Sequence, residues 1–318
     1  MSRAETVFMF SGQGSQYYQM GRDLFEHDAT FRRTMLRLDD LVRQIAGRSV
    51  VEQLYSEQNR KSDSFDRTLL THPAIFMVEY SLAQTLITSG IVPDAVMGVS
   101  LGSFAAATVA GFMSVDDALT AVVRQAIAFE ESCVPGGMMA VLAEPALYGE
   151  EFLRRDSELA AINFASHFVV SAKRPELDAL EAALKGRGIG HQRLPVSFPY
   201  HSRWVEEARV PFQSFMRSIR YAQGSLPLVC CDDTGTLSEL SPEYFWNVVR
   251  RPIRFRETTA RLEQEGPRRY IDVGPAGTLA TFLKYGLPAT TRSTVHSILT
   301  PYGTDRKNLA ALRASLAS

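Results

Sequence analysis

Apolar and polar positions alternate between two rhythms along this chain, and the change of rhythm divides it. Residues 6–10 (Thr6-Val7-Phe8-Met9-Phe10) form a short apolar run that predicts a first buried strand. Met20, Leu24, Phe31, Met35, Leu38, Leu41 and Ile45 recur at helical spacing and predict one or two amphipathic helices within 19–56. Residues 56–66 are polar and predict a loop. A helix is expected over 73–89, with Pro73 in its first turn. Residues 91–99 then read as a second buried strand, and Phe104-Ala105-Ala106-Ala107 opens a helix rich in small residues. Ser114 predicts an N-cap for a helix through Val122, Val123, Ile127 and Phe129.

From residue 138 the elements shorten. Strands are predicted at 138–142, 159–164, 168–172 and 188–194, with helices at 144–155 and 175–186. That order, βαββαβ, is the ferredoxin-like pattern. Beyond it come a helix near Arg203, a strand at 226–231, a mixed apolar and arginine segment at 246–255, a strand at 269–273, a helix from Gly277 and a surface helix from Thr304. The expectation is an α/β protein: a large subdomain made of residues 1–137 and 196–318, interrupted by a small ferredoxin-like subdomain at 138–195 that caps its pocket.

Composition narrows the function classes. The chain has 318 residues, 45% hydrophobic and 22% charged, with a net charge of −1. That balance gives no basic surface for nucleic acid or an anionic membrane. No apolar run reaches the length of a membrane span, and Met1-Ser2-Arg3-Ala4-Glu5 shows no signal-peptide core. The three cysteines are Cys133 and the adjacent pair Cys230-Cys231, which reads as buried thiols rather than a disulfide or a metal site. A cytoplasmic protein without metal or cofactor is expected.

The candidate chemistry lies at strand ends. Gly98-Val99-Ser100-Leu101-Gly102 reads Gly-x-Ser-x-Gly between a predicted strand and a predicted helix, the context of a nucleophile elbow. Its glycines permit a sharp turn that presents Ser100 at a helix N-terminus, where backbone N–H groups can stabilise an oxyanion. Ser11-Gly12-Gln13-Gly14-Ser15-Gln16 follows the first strand as a polar, glycine-rich turn, without the Gly-Lys-Ser/Thr ending of a phosphate loop.

Four stretches, taken together, resemble the malonyl-CoA:acyl-carrier-protein transacylase family, which includes the acyltransferases of polyketide synthases. They are the turn at 12–16, the elbow at 98–102, Tyr200-His201-Ser202, and Asp272-Val273-Gly274-Pro275. The resemblance implies a hydrolase-like α/β core with a ferredoxin-like insert. It assigns Ser100 as nucleophile, His201 as base, and the backbone amides of Gln13 and Leu101 as the oxyanion hole. It places Gln125, His72, Val99, Phe198 and Tyr200 around the substrate. A main-chain carbonyl within 248–251 is expected to orient His201. His27, His167, His191 and His296 match no family site and are expected to be surface or satisfied histidines.

Three departures from the family pattern bear on substrate. Val99 replaces the histidine before the nucleophile, and His72 replaces a glutamine before Pro-Ala. Gln125 occupies the position at which malonyl-using members carry an arginine that clamps the malonyl carboxylate; a register shift of one would instead make Arg124 that clamp. With glutamine, the acyl group is expected to be uncharged, as in the discrete acyl hydrolases of polyketide pathways. Three readings follow: hydrolysis of non-malonyl acyl-carrier-protein thioesters, transfer of a non-malonyl unit onto a carrier, and a carrier-binding module with little catalysis. Malonyl transfer remains the outcome if the register is shifted. The expected partner is an acyl carrier protein, with acyl-CoA as a further donor, acting on a monomer.

Overall fold

The computed structural model describes residues 4–317. Six strands form the central sheet. They are β1 (Glu5–Phe10), β2 (Ala95–Gly98), β7 (Leu228–Cys230), β8 (Thr236–Leu237), β9 (Arg268–Asp272) and β10 (Thr294–Ser297), in the order β10-β9-β1-β2-β7-β8. All neighbours are parallel except β7 and β8. The central strands are apolar on both faces because both faces are covered. Phe8 and Phe10 point into the larger core, beside helices Ala29–Ala46, Thr68–Thr88 and Val115–Ser132. Val7 and Met9 point the other way, onto Phe255, Leu262, Leu279 and Leu283 of helices Phe255–Glu265 and Thr278–Gly286.

A second sheet holds β3 (Gly136–Val141), β4 (Glu158–Phe164), β5 (His167–Lys173) and β6 (His191–Arg193), in the order β4-β5-β3-β6 with every described pair antiparallel. This is the ferredoxin-like order. Its core lies against helix Arg174–Gly186 through Leu177, Leu180 and Leu184. Residue Ile253 joins the two parts: its amide donates to Ala160 O at 2.8 Å, and the Ile162 amide donates to its carbonyl at 3.0 Å. The architecture is therefore a hydrolase-like α/β core carrying a ferredoxin-like subdomain. No helix among the described residues is long and apolar enough to cross a membrane.

Several elements differ from their sequence pattern. The helix expected from residue 73 starts at Thr68, so Pro73 lies inside it. Its first turn is closed from another helix, where Glu130 Oε1 accepts the Leu69 amide at 2.8 Å. Nearly every face of this helix is buried, and that burial outweighs the donor that proline lacks. The second strand begins only at Ala95. Upstream, Asp94 Oδ2 accepts the Thr6 amide at 2.8 Å in place of a longer ladder. The stretch 144–155 is a 3-10 turn, Pro145–Gly149, and a short helix, Glu151–Arg154. The C-terminal helix Asp305–Ala317 is only half superficial, because Leu309 and Leu312 are buried. All three cysteines are free thiols, with Cys230 and Cys231 buried.

β1 and β2 run in register, with Phe10 opposite Gly98, so their C-terminal turns leave the sheet side by side. Gly102 makes that closeness feasible: a Cβ there would collide with the Phe10 carbonyl. Gly102→Ala should therefore cost about 1–3 kcal/mol or more in urea unfolding. A change within about 0.5 kcal/mol would show that this contact is not tight.

Candidate active site

The elbow is built from β2 outward. Val99 N donates to Phe10 O at 2.9 Å, which pins the start of the turn to the neighbouring strand. Ser100 follows with φ +53°, a left-handed conformation that a non-glycine residue adopts only under constraint. The amides of Gly102 and Ser103 then donate to Val99 O and Ser100 O, both at 3.0 Å, and helix Gly102–Val109 begins. Ser100 is lifted to the tip of the turn yet is only 9% exposed.

His201 reaches it from the segment that returns from the small sheet. It too has a positive φ, +59°. Its amide donates to Val249 O at 2.9 Å. The hydroxyl of Ser171 donates to the carbonyl of Tyr200, and that of Ser202 to the carbonyl of Pro199, so the loop is fixed on both sides. The ring lies between two partners: Nδ1 is 2.7 Å from Arg251 O, and Nε2 is 2.9 Å from Ser100 Oγ. A carbonyl can only accept, so Nδ1 carries the proton. Nε2 then accepts from the Ser100 hydroxyl, as a general base requires. Burial pushes the imidazole pKa down to about 4. The bond to the Arg251 carbonyl opposes that shift, and the charge of Arg250 adds to it.

The glycine-rich turn closes the opposite side. Gly12 packs directly on the elbow: a Cβ there would lie 2.9 Å from Ser100 Cβ and 3.0 Å from Val99 O. Gln16 anchors the turn, with Nε2 donating to Phe65 O at 2.9 Å and Pro195 O at 2.7 Å. The Gln13 side chain is held by Thr71 Oγ1 at 2.6 Å. Among the described residues, neither the Gln13 amide nor the Leu101 amide has an acceptor within hydrogen-bonding distance. Two free amides flanking Ser100 suit an oxyanion.

A cavity of about 270 Å³ opens over this centre, walled by both sheets. Gln13, Val99, Ser100, Tyr200 and His201 line it. Leu101, His72, Phe198 and Gln125 do not. His72 and Phe198 stand behind Tyr200, with ring centroids 5.7 and 6.2 Å from it. Burial alone holds the His72 pKa near 3, so its ring is neutral. Gln125 is buried four residues before Phe129, on the same helical face, and Phe129 packs on Tyr200 at 5.1 Å. Neither polar atom of the Gln125 amide has a partner among the described residues. Arg124 is exposed and lies 6.0 Å from the Phe215 ring, on the other side of the helix.

The small sheet adds residues that the sequence pattern passed over. Asn163, His167 and Gln192 line the cavity, as do Thr278 and Phe282 from the large subdomain. His167, expected to be a surface or satisfied histidine, has Asn163 Nδ2 3.1 Å from its Nδ1; the β4–β5 hairpin also turns it towards the cavity, where its ring packs against Phe282 at 5.2 Å. Strand alternation could have signalled that β5 has an inner face, but not that this face looks towards Ser100.

Ser100→Ala should abolish acylation by a carrier thioester, read as added mass on the intact protein. His201→Ala should slow it by several orders of magnitude. With the base depressed, the wild-type kcat/KM should fall only as pH drops through about 4. It should stay level from about pH 5 to about pH 8. A midpoint near the ordinary histidine value of about 6.5 would contradict this geometry.

Comparison with known proteins identifies the family. Residues 7–318 match the acyl transferase domain family. The chain is 44% identical over 313 residues to the polyketide biosynthesis acyltransferase homolog BaeD of Bacillus velezensis, covering 98% of this chain and 97% of that one. It is 42% identical to the homolog PksD of Bacillus subtilis, covering 95% and 94%. A loading acyltransferase from the avermectin modular polyketide synthase superposes with a TM-score of 0.88 at 26% identity, over 98% of this chain and 100% of that one. Coverage, fold and family match agree, and the chain belongs to the acyl transferase domain family.

Proposed function

We propose that this protein removes uncharged acyl groups from acyl-carrier-protein thioesters in polyketide biosynthesis, through an acyl-Ser100 intermediate that water opens. One observation carries the reading. Among the described residues that line the cavity around Ser100, none is arginine, lysine, aspartate or glutamate. A malonyl carboxylate entering it would be buried without a charge partner, at a cost of several kcal/mol. Gln125 lies behind the aromatic wall where the family resemblance implies an arginine, and the neighbouring Arg124 faces solvent. Val99, Ala140, Val169, Leu279 and Phe282 give the cavity apolar surface for a neutral chain.

The proposed steps use this geometry. Ser100 Oγ attacks the thioester carbonyl while His201 Nε2 takes its proton. The new oxyanion lies between the amides of Gln13 and Leu101. The carbon–sulfur bond breaks, and His201 returns the proton to the leaving thiolate. Water then adds to the acyl-Ser100 ester, giving a proton to His201, which passes it to Ser100 Oγ as the acid leaves. Asn163, His167 and Gln192 give the cavity a neutral polar wall that can hold that water. The two Bacillus relatives are named acyltransferase homologs, which favours a second reading in which a carrier thiol takes the place of water. In both readings the carrier meets a single copy of the chain.

Matched acetyl and malonyl carrier thioesters should separate by at least about tenfold in acylation rate, acetyl being faster, since a lost charge-assisted bond is worth about 1.5–3 kcal/mol. Gln125→Arg should move the preference towards malonyl, and Arg124→Ala should leave it nearly unchanged. A wild type that prefers malonyl, and loses that preference in Arg124→Ala, would make this an ordinary malonyl transferase.

A further inference from the structure

The turn that carries Gln13 is supported from below by a line of buried oxygens ending in a carboxyl group. Glu79, on helix Thr68–Thr88, is fully buried. Its Oε1 accepts the Ser11 amide at 2.6 Å and lies 2.9 Å from Ser11 Oγ. Ser11 Oγ lies 3.0 Å from Ser15 Oγ, which lies 2.8 Å from the Gly12 carbonyl oxygen. Gly274 braces the line from the side, since a Cβ there would collide with Ser11 Oγ. Glu79 Oε2 has no hydrogen-bond partner among the described residues.

Counting protons along this line bears on the state of Glu79. Three oxygen–oxygen contacts each need one proton. The Ser11 and Ser15 hydroxyls supply two, and the carbonyl supplies none. Were Glu79 an anion, Ser11 would donate to it and Ser15 to Gly12. The Ser11 and Ser15 oxygens would then face each other at 3.0 Å with no proton between them. A carboxylic acid whose Oε1–H donates to Ser11 Oγ, while the same oxygen accepts the Ser11 amide, fills all three contacts. It also leaves only a neutral carbonyl oxygen unpaired at Oε2, a smaller cost than an unpaired oxygen of a buried anion. Burial acts in the same direction, raising the carboxyl well above its usual range against the two bonds from Ser11. The other titratable group acting on it is Asp272, which raises it further. The Asp272 carboxylate is itself held by the amides of Gly274 and Ala280, both at 2.8 Å.

We propose that Glu79 is a neutral carboxylic acid and a positioning residue: through Ser11 and Ser15 it sets the plane of the Gly12-Gln13 peptide and aims the Gln13 amide at the substrate oxygen. The carbonyl of Gly12 and the N–H of Gln13 belong to one trans peptide unit and point in opposite directions. Holding the carbonyl therefore fixes the direction of the N–H. A hydrogen bond at the carbonyl also polarises the unit and strengthens the donor. The proposal rests on the reading of Gln13 as an oxyanion donor.

Two measurements separate the proposal from that reading. Infrared difference spectra of wild type against Glu79→Gln need no substrate. At about pH 7.5, above the ordinary carboxylate range and above the Asp272 value of about 6, they should show a protonated carboxyl band that the variant lacks. If no such band is present, Glu79 is an anion and the proposal fails. Acylation by acetyl N-acetylcysteamine thioester gives the second measurement. Ser15→Ala and Glu79→Ala should lose about tenfold to a hundredfold in the saturating rate, with little change in the concentration for half-saturation. In Glu79→Gln a single atom at the Oε1 position can either accept the Ser11 amide or donate to Ser11 Oγ but not both, so this variant should recover only part of the rate lost in Glu79→Ala. A Glu79→Ala rate within about twofold of wild type would overturn the proposal. A normal band with an unchanged Ser15→Ala rate would also overturn it, and would place the fault in the role given to Gln13.

Discussion

The hydrogen bond between His201 Nδ1 and the Arg251 carbonyl, 2.7 Å long, determines which ring nitrogen meets Ser100. A carboxylate in that place would also fix the tautomer, but it would bring a buried charge to the cavity wall. The carbonyl does the same work without one. The acceptor belongs to a short segment with several duties. Val249 O receives the His201 amide, Arg251 O receives the ring, and Ile253 bonds to β4 in the small sheet. One stretch of backbone therefore orients the His201 ring and fastens the wall that closes the cavity. Displacing it would disturb the chemistry and the shape of the pocket together.

Ser100 is positioned by sterics as much as by hydrogen bonds. The register of β1 on β2 brings two turns to one level, and Gly12 and Gly102 remove the side chains that would hold them apart. Ser100 and His201 both take left-handed backbone conformations, each costing on the order of 1–3 kcal/mol. Buried surroundings sustain them: Val99 is tied to Phe10, and the His201 loop is held by the hydroxyls of Ser171 and Ser202. Among the described residues, the ionisable side chains that line this cavity are His201, with its depressed pKa, His167 on the opposite sheet and the Tyr200 phenol. Burial also lowers the pKa of His167. The proposed preference for an uncharged acyl chain rests on this lining, in which a carboxylate would have no cationic side chain among the described residues.

What was legible in the sequence was local. The apolar runs marked β1 and the strand before the elbow. Ser114 announced its helix, and its hydroxyl accepts the Asp117 amide. The alternating short elements of the ferredoxin-like sheet were readable because each buries one face. Features made by tertiary contact were not. The first turn of the helix that starts at Thr68 is closed by Glu130, sixty-one residues beyond the Leu69 amide it accepts. β8 has two residues, and β10 is only partly buried, so neither carries an apolar run. The same division holds at the site. Gly-x-Ser-x-Gly is contiguous and visible. The choice of the Arg251 carbonyl, the inward turn of His167, and the layer that puts His72, Phe198 and Gln125 behind Tyr200 all depend on elements meeting in space.

The central claim is that a neutral acyl group on Ser100 is surrendered to water. The most direct measurement starts from the acetyl-enzyme, formed with excess thioester and freed of it by rapid desalting. Its decay is then followed by intact mass in ¹⁸O-labelled water, with and without free holo carrier protein. The account predicts that the label appears in released acetate and that the decay rate is nearly the same with carrier present. Acetyl-enzyme that persists in water and discharges onto the carrier thiol would contradict it.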